Sequence, residues 1–209
     1  LLFFINSCKI FEKKIETKTI KIVKENSEKK ILVFSKTNGW RHKSIPNGIE
    51  ALKKIGIENT WKIDFSEDSL VFNSKNISKY NLIIFLNTTG NILGSEQEES
   101  FKKFINSGGG FVGIHAATDT EFNWPFYTNM IGAQFESHPK QQMAKLQVHQ
   151  HQNHPAIQHL DTTFEEFDEW YNFKKPVASH VNVLISIDET SYEGGKMGAK
   201  HPISWYHTY

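Results

Sequence analysis

The segment from Gly108 to Asp119, GGGFVGIHAATD, contains the first residue expected to do chemistry. An apolar run from Phe111 to Ile114 ends in His115, and Asp119 follows four residues later. Ligands of open α/β sheets bind beyond the carboxyl ends of the strands, so His115 could be a general acid or base or a metal ligand. It could also be satisfied by backbone partners at the strand end. Asp119 could fix the tautomer of His115 or cap a helix starting near Phe122.

A second histidine, His42, lies in the loop Lys36 to Lys43, just after the apolar run Ile31 to Ser35. If both apolar runs are strands of one parallel sheet, their carboxyl ends meet at the same edge. His42 and His115 are then expected to lie near each other, which makes His42 a candidate partner in proton transfer.

The segment FEEFDEWYNF supplies a candidate carboxylate. In an extended strand Glu169 and Tyr171 point to one face and Asp168 and Trp170 to the other, so only one of the two acids can enter a pocket. A carboxylate near an imidazole raises the pKa of the imidazole and helps it act as an acid.

The remaining histidines raise the question of a metal site. Histidines are concentrated between residues 149 and 159, at His149, His151, His154 and His159. Glutamine, asparagine and proline surround them, which favours a solvated strand and turn. A site made from His42, His115, His138 and Glu169 is the better metal candidate. Nothing in the spacing demands an ion, so no cofactor is predicted and a divalent metal stays open.

These residues need elements that position them. The first half alternates strand and helix signals. The predicted strands are Ile31–Ser35, Trp61–Phe65, Leu82–Leu86 and Phe111–Ile114. One predicted helix is capped by Ser44 and faces inward with Ile49, Leu52 and Ile55, and another is capped by Ser95 and faces inward with Phe101, Phe104 and Ile105. This alternation predicts a buried parallel sheet with helices on both faces. The second half predicts a short helix, Trp124–Met130, and the strands Ala144–Gln150, Glu165–Phe173, Val183–Ile187 and Ile203–Tyr209, as an elaboration of the same sheet.

Length and charge restrict the functional class. The 209 residues suit one domain, and the body lacks an apolar run long enough to span a bilayer. Lysine and arginine number 24 against 23 acidic residues, without a basic face, so nucleic acid is not an expected partner.

The first thirty residues resemble the end of a bacterial lipoprotein signal peptide followed by a tether. An apolar run, Leu1 to Ile5, precedes small residues and the single cysteine, Cys8, and a polar, lysine-rich stretch continues to Lys30. Lipidation of Cys8 would anchor the domain outside the cytoplasm, at a bacterial membrane facing the periplasm or at the outer membrane. The alternative is a first β-strand with a buried cysteine.

From Ile31 to Tyr209 the chain resembles the trehalose-utilisation, or ThuA-like, family. Six motifs carry the resemblance in order: GWRH at 39–42 with Ser44 and Ile45, GGFVGIHAATD at 109–119, GAQFESHP at 132–139, HP at 154–155, DEWY at 168–171 and PISWYH at 202–207. The resemblance implies a flavodoxin-like three-layer α/β/α sandwich with a mostly parallel sheet, similar to class I glutamine amidotransferases. The family's terminal Gly-Arg and Gly-His motifs are absent, so we expect a domain truncated at the C-terminus.

The resemblance also implies a function in carbohydrate metabolism. His115 stands where amidotransferases of this fold carry their nucleophilic cysteine, so amidotransfer is not expected. We expect histidine acid/base chemistry on a glycoside or keto-sugar, with a small carbohydrate as substrate. The expected catalytic residues are His115, His42, Glu169 and Asp119, and the expected substrate-binding residues are Trp40, Arg41, His138, His207 and Tyr171. The alternatives are a non-catalytic sugar-binding module and a metal-dependent hydrolase.

Overall fold

The computed structural model describes residues 29–209. In chain order its elements are β1 (Lys30–Phe34), α1 (Ile45–Asn59), β2 (Lys62–Ser66), α2 (Ser74–Ile77), β3 (Leu82–Leu86), α3 (Ser95–Asn106), β4 (Gly110–Ile114), α4 (Pro125–Ile131), β5 (Phe135–Ser137), β6 (Gln142–Val148), β7 (Thr163–Asp168), β8 (Asn172–Phe173), β9 (Asn182–Ile187) and β10 (His201–Tyr206). The proposed lipidation site, Cys8, and the tether lie outside the described residues.

Four strands form the parallel sheet that the sequence predicts, in the order β2-β1-β3-β4. Side chains of successive residues point to opposite faces of a strand, so the continuous apolar runs of β1 and β3 require cover on both sides. Ile31 and Val33 pack on one face with Ile49 and Leu52 of α1. This arrangement explains the apolar spacing of α1.

The opposite face is covered by α2, α3 and α4. Its core contains Phe34 of β1, Phe85 of β3 and Phe101 of α3, all fully buried. Helices on both faces of a parallel sheet give the three-layer α/β/α architecture.

Three local predictions are wrong in detail. Ser44 occupies the N-cap position of α1, but its hydroxyl accepts a hydrogen bond from Asn87 Nδ2 and does not cap the helix. The N-cap residue of α3 is Gly94 and not Ser95, and the Gly94 N–H donates a hydrogen bond to Oε1 of Gln97. Ile55 was expected to face inward and is 41% exposed, because its position on α1 lies beside the sheet contact.

The strand β4 is also less buried than predicted. It pairs only with β3 and so forms an edge of the described sheet, where Val112 is 41% exposed. The apolar run of β4 gave no indication of this, because an edge position depends on strand order.

The second half of the chain does not extend the parallel sheet, which corrects the prediction of one continuous sheet. Its strands form a separate antiparallel sheet in the order β10-β9-β6-β7, and β5 pairs with β8. The predicted strand Glu165–Phe173 is divided, with the residues from Glu169 to Tyr171 in the connection between β7 and β8. No helix within residues 29–209 has the length and hydropathy needed to cross a membrane.

Candidate functional site

Two histidines meet beyond the carboxyl ends of the parallel strands. His115 directly follows the last residue of β4, and His42 lies in the loop between β1 and α1. Their rings are in edge-to-face contact, with centroids 4.7 Å apart. The sheet therefore brings together two imidazoles that are 73 positions apart in the sequence.

The backbone at His115 adopts a conformation that side chains rarely take. Its φ is 52°, in the left-handed region, at the turn from β4 into a short 3₁₀ helix. This region costs an ordinary L-residue about 1 kcal/mol. Gly113, two residues before His115, is closely packed, because a Cβ there would lie 2.9 Å from the Cβ of Ala117. The fold thus holds the imidazole at a sharp turn.

Glu169 brings a carboxylate to the two imidazoles. Its Oε2 atom lies 3.3 Å from Nε2 of His115, 3.6 Å from Nε2 of His42 and 3.9 Å from Nε2 of His138. This Oε2 atom is buried and has no hydrogen-bond partner among residues 29–209, whereas Oε1 accepts a bond from Gln141 Nε2. Three nitrogens therefore surround one buried oxygen.

The hydroxyl of Tyr171 completes the cluster. It lies 3.1 Å from Nε2 of His115 and 3.4 Å from Nε2 of His42. Burial, reinforced by the negative charge of Glu169, raises the pKa of Tyr171, so the side chain is a neutral phenol. Burial and the neighbouring His42 lower the pKa of His115, against the opposing effect of Asp168 and Glu169. The unprotonated imidazole is therefore favoured at His115.

Several contacts fix the segment that carries Glu169 and Tyr171. Between them, Trp170 is buried and donates from Nε1 to the carbonyl of Gln142 at 2.8 Å. His201, fully buried, places Nε2 2.8 Å from the carbonyl of Tyr171 and Nδ1 2.8 Å from Oε1 of Glu189. His201 and Gln141 were not identified from the sequence, because their roles depend on contacts with distant residues.

His138 reaches the edge of the cluster and is more exposed than the other two histidines. Its Nδ1 lies 2.8 Å from the carbonyl of Pro139 and must donate to it, because a carbonyl oxygen only accepts. In a neutral ring this leaves a lone pair on Nε2, the atom that faces Glu169.

Three other predicted substrate-binding residues lie outside the cluster. Trp40 is 72% exposed on the loop that carries His42. Arg41 forms a two-pronged salt bridge with Glu67, the ordinary role of a loop arginine. His207 lies against the carbonyl of Met130, with Nε2 at 2.7 Å.

Asp119 forms no hydrogen bond or ion pair with His115 in the part of the chain that the structure describes, and it does not cap α4, whose N-cap residue is Trp124. Burial raises the pKa of its carboxyl to about 6, while Lys174 opposes this rise. The negative charge of Asp119 also helps to raise the pKa of Tyr171.

The histidines from 149 onward do not form a second cluster of ligands. Nε2 of His149 is 2.7 Å from the hydroxyl of Ser186, and the ring of His154 packs against Tyr206. Within residues 29–209, the group of three ligand atoms close enough to share an ion is that of His42, His115 and Glu169, all within 4.8 Å of one another.

A cavity of about 910 Å³ adjoins the cluster. It runs between β4 and β10, and Val112, Met130 and Trp205 contribute apolar walls. His115, Glu169 and Tyr171 also line it. Ligand pockets of roughly 300–1,000 Å³ are mostly apolar with a few convergent polar groups, as here.

Comparison with known proteins identifies the family of this chain. A family model described as trehalose utilisation matches residues 30–209, whereas no curated protein matches. The fold is similar to that of a ThuA-like protein from Bacteroides uniformis (TM-score 0.72, 24% identity, 85% of this chain and 76% of that one). It is also similar to a ThuA-like protein from Parabacteroides merdae (TM-score 0.69, 17% identity, 87% and 76%). The chain belongs to the ThuA family, whose model covers all of the described domain apart from one residue.

Proposed function

We propose that this domain is an enzyme that acts on a small carbohydrate, a glycoside or a keto-sugar, by histidine acid/base chemistry. The observation that carries the proposal is the convergence of His42, His115 and His138 on one buried oxygen of Glu169. Imidazole and carboxylate in contact can pass a proton between them near neutral pH. Membership of a trehalose-utilisation family supports a sugar as the substrate.

Two imidazoles are placed to move the proton. His115 lies closest to Glu169 and lines the cavity, whereas His138 is the more exposed and carries its lone pair towards the same oxygen. The phenol of Tyr171 can donate to a sugar oxygen, because it stays neutral. The exposed indole of Trp40 offers a flat apolar face of the kind on which sugar rings stack.

Amidotransfer is not part of the proposal. That reaction needs a nucleophilic thiolate, and residues 29–209 contain no cysteine. The turn that would present the thiol presents His115 instead, in the left-handed conformation. A resemblance to the amidotransferase fold does not bring that activity with it, and the proposed chemistry uses the imidazoles instead.

Replacing His115 by asparagine tests the proposal. Asparagine tolerates the left-handed conformation better than most residues, so the fold should be preserved while the imidazole is lost. We expect turnover of the responsive sugar to fall by at least 100-fold, a typical loss for a missing acid/base group. Candidates are found by thermal shift against disaccharides and their 3-keto forms, and turnover is then followed by chromatography.

The His149→Asn variant is the matched control, because His149 contacts Ser186 away from the cluster and should keep its turnover. Turnover by His115→Asn equal to that of the unmodified protein would refute the role of His115. A sugar-induced thermal shift without turnover in the unmodified protein would instead indicate a sugar-binding module.

We also propose that a lipid on Cys8 anchors the domain at a bacterial membrane, outside the cytoplasm. The support is the apolar run and small residues before this single cysteine. When the full-length gene product is expressed in a bacterium, we expect it in the detergent phase after phase separation, and the Cys8→Ser variant in the aqueous phase. Identical partitioning of the two proteins would contradict the anchor.

A further inference from the structure

We infer that His42, His115 and Glu169 bind one divalent transition-metal ion. The inference rests on the proposed function, because it takes the same cluster as the reaction centre. It adds the cofactor of that site and assigns separate roles to its histidines.

Two of the donor-atom distances are those of ligands around one ion, and all three donor atoms lie within 4.8 Å of one another. Two ligands held at about 2.1 Å from one ion lie about 3.0 Å apart at a right angle and about 3.6 Å apart at 120°. Oε2 of Glu169 lies 3.3 Å from Nε2 of His115 and 3.6 Å from Nε2 of His42. A direct charge-assisted hydrogen bond would shorten these distances to about 2.7–2.9 Å.

The burial of the oxygen supports the same conclusion. A carboxylate oxygen taken out of water needs a partner, because its desolvation is otherwise uncompensated. In the part of the chain that the structure describes, Oε2 of Glu169 has no hydrogen-bond partner, while the other oxygen of the same carboxylate accepts a bond from Gln141. A cation between Oε2 and the two imidazoles would satisfy it.

The ligand types select the class of metal. Two imidazoles and one carboxylate are the protein ligands of many catalytic zinc sites and of non-haem iron sites, which keep positions open for water or substrate. Mg²⁺ and Ca²⁺ prefer oxygen ligands and are not expected here. His115 and Glu169 both line the cavity, which is the side from which water or substrate would reach the ion.

A bound ion would also give the three histidines different roles. His42 and His115 would give their lone pairs to the metal, so neither could accept a proton. His138 is 3.9 Å from Oε2, which is wide for a third imidazole ligand, and its Nε2 lone pair is free in the neutral ring. His138 is therefore not a ligand in this arrangement, and loss of activity in His115→Asn would reflect loss of the ion.

The test is a titration of the full chain, prepared without a histidine tag and stripped with a chelator. Zn²⁺ alone is added in a calorimeter, and Co²⁺ is added while visible absorption is recorded, because the Co²⁺ spectrum reports the coordination number and geometry of the bound ion. We expect one ion per chain. Glu169→Gln and His42→Ala should each weaken binding by at least 100-fold, and His149→Ala should leave it unchanged.

No saturable uptake by the unmodified protein would overturn the inference, and so would equal uptake by Glu169→Gln. Circular dichroism and the melting temperature in chelator confirm that each variant is folded. Because no sugar is present, failure of metal binding would leave the carbohydrate proposal standing with His115 as the proton carrier. Metal binding without any sugar response would refute the carbohydrate proposal alone.

Discussion

Replacing His201 by alanine is expected to lower the free energy of unfolding by about 3 kcal/mol, because two groups lose a hydrogen-bond partner and each unsatisfied buried group costs about 1–3 kcal/mol. His201 has no exposed surface, and each ring nitrogen lies 2.8 Å from an oxygen, one on Glu189 and one on the carbonyl of Tyr171. The same carboxylate also accepts the backbone N–H groups of Met197 and Gly198. Removing the imidazole would leave the partly buried carboxylate of Glu189 and the carbonyl of Tyr171 without this partner.

The measurement is denaturant unfolding followed by tryptophan fluorescence, with Tyr192→Phe as the matched control. The hydroxyl of Tyr192 lies 3.1 Å from the same Nδ1 atom, so this control removes one neutral hydrogen bond and should cost about 1 kcal/mol. Equal losses in the two variants would mean that the contact between His201 and Glu189 contributes little.

The parallel half of the fold could be predicted because its signals are local. The strands β1 and β3 are continuous apolar runs, and a strand buried on both faces needs such a run. The edge position of β4 could not be predicted in this way, since it depends on strand order. For the same reason the sequence predicted the approximate positions of β6, β7, β9 and β10 but not their separate sheet, and it did not predict β5.

The sequence predicted the part of the candidate site that is formed by residues directly after the parallel strands. His42 and His115 were expected near each other because parallel strands share a carboxyl edge, and the structure places their rings in contact. Alternation along an extended segment predicted that only one of Asp168 and Glu169 enters the pocket, and the resemblance to the ThuA-like family favoured Glu169. The structure puts Glu169 in the cluster and leaves the side chain of Asp168 at the surface.

The residues that the sequence did not reveal act through long-range contacts. His201 lies 30 positions from Tyr171, and Gln141 lies 28 positions from Glu169. Neither spacing is that of a known motif, so only the packing of β6, β8 and β10 reveals their roles. Arg41 is the opposite case. Its place in a family motif predicted a substrate-binding role, whereas its side chain forms a salt bridge with Glu67.

Replacing Phe85 by alanine is expected to cost about 3–5 kcal/mol of unfolding free energy, the range for deleting a buried phenylalanine. Phe85 lies in the middle of the parallel sheet with no exposed surface. Its ring lies within 6 Å, centroid to centroid, of five others: Phe34, Phe72, Phe101, Phe111 and Tyr127. Such a ring cannot be removed without a cavity, because its neighbours belong to different elements whose positions the rest of the sheet holds.

Phe167→Ala is the matched control for this prediction, because Phe167 is the same residue type in a strand but is 55% exposed. Its loss should change the unfolding free energy by about 0.5 kcal/mol or less. Both variants are measured by urea unfolding at equal protein concentration. If Phe85→Ala proved no more destabilising than Phe167→Ala, the aromatic layer between the sheet and α3 could not be the main core of this domain. The sharp turn at His115 would then need another source of support, since β3, which carries Phe85, is the strand that pairs with β4 just before that turn.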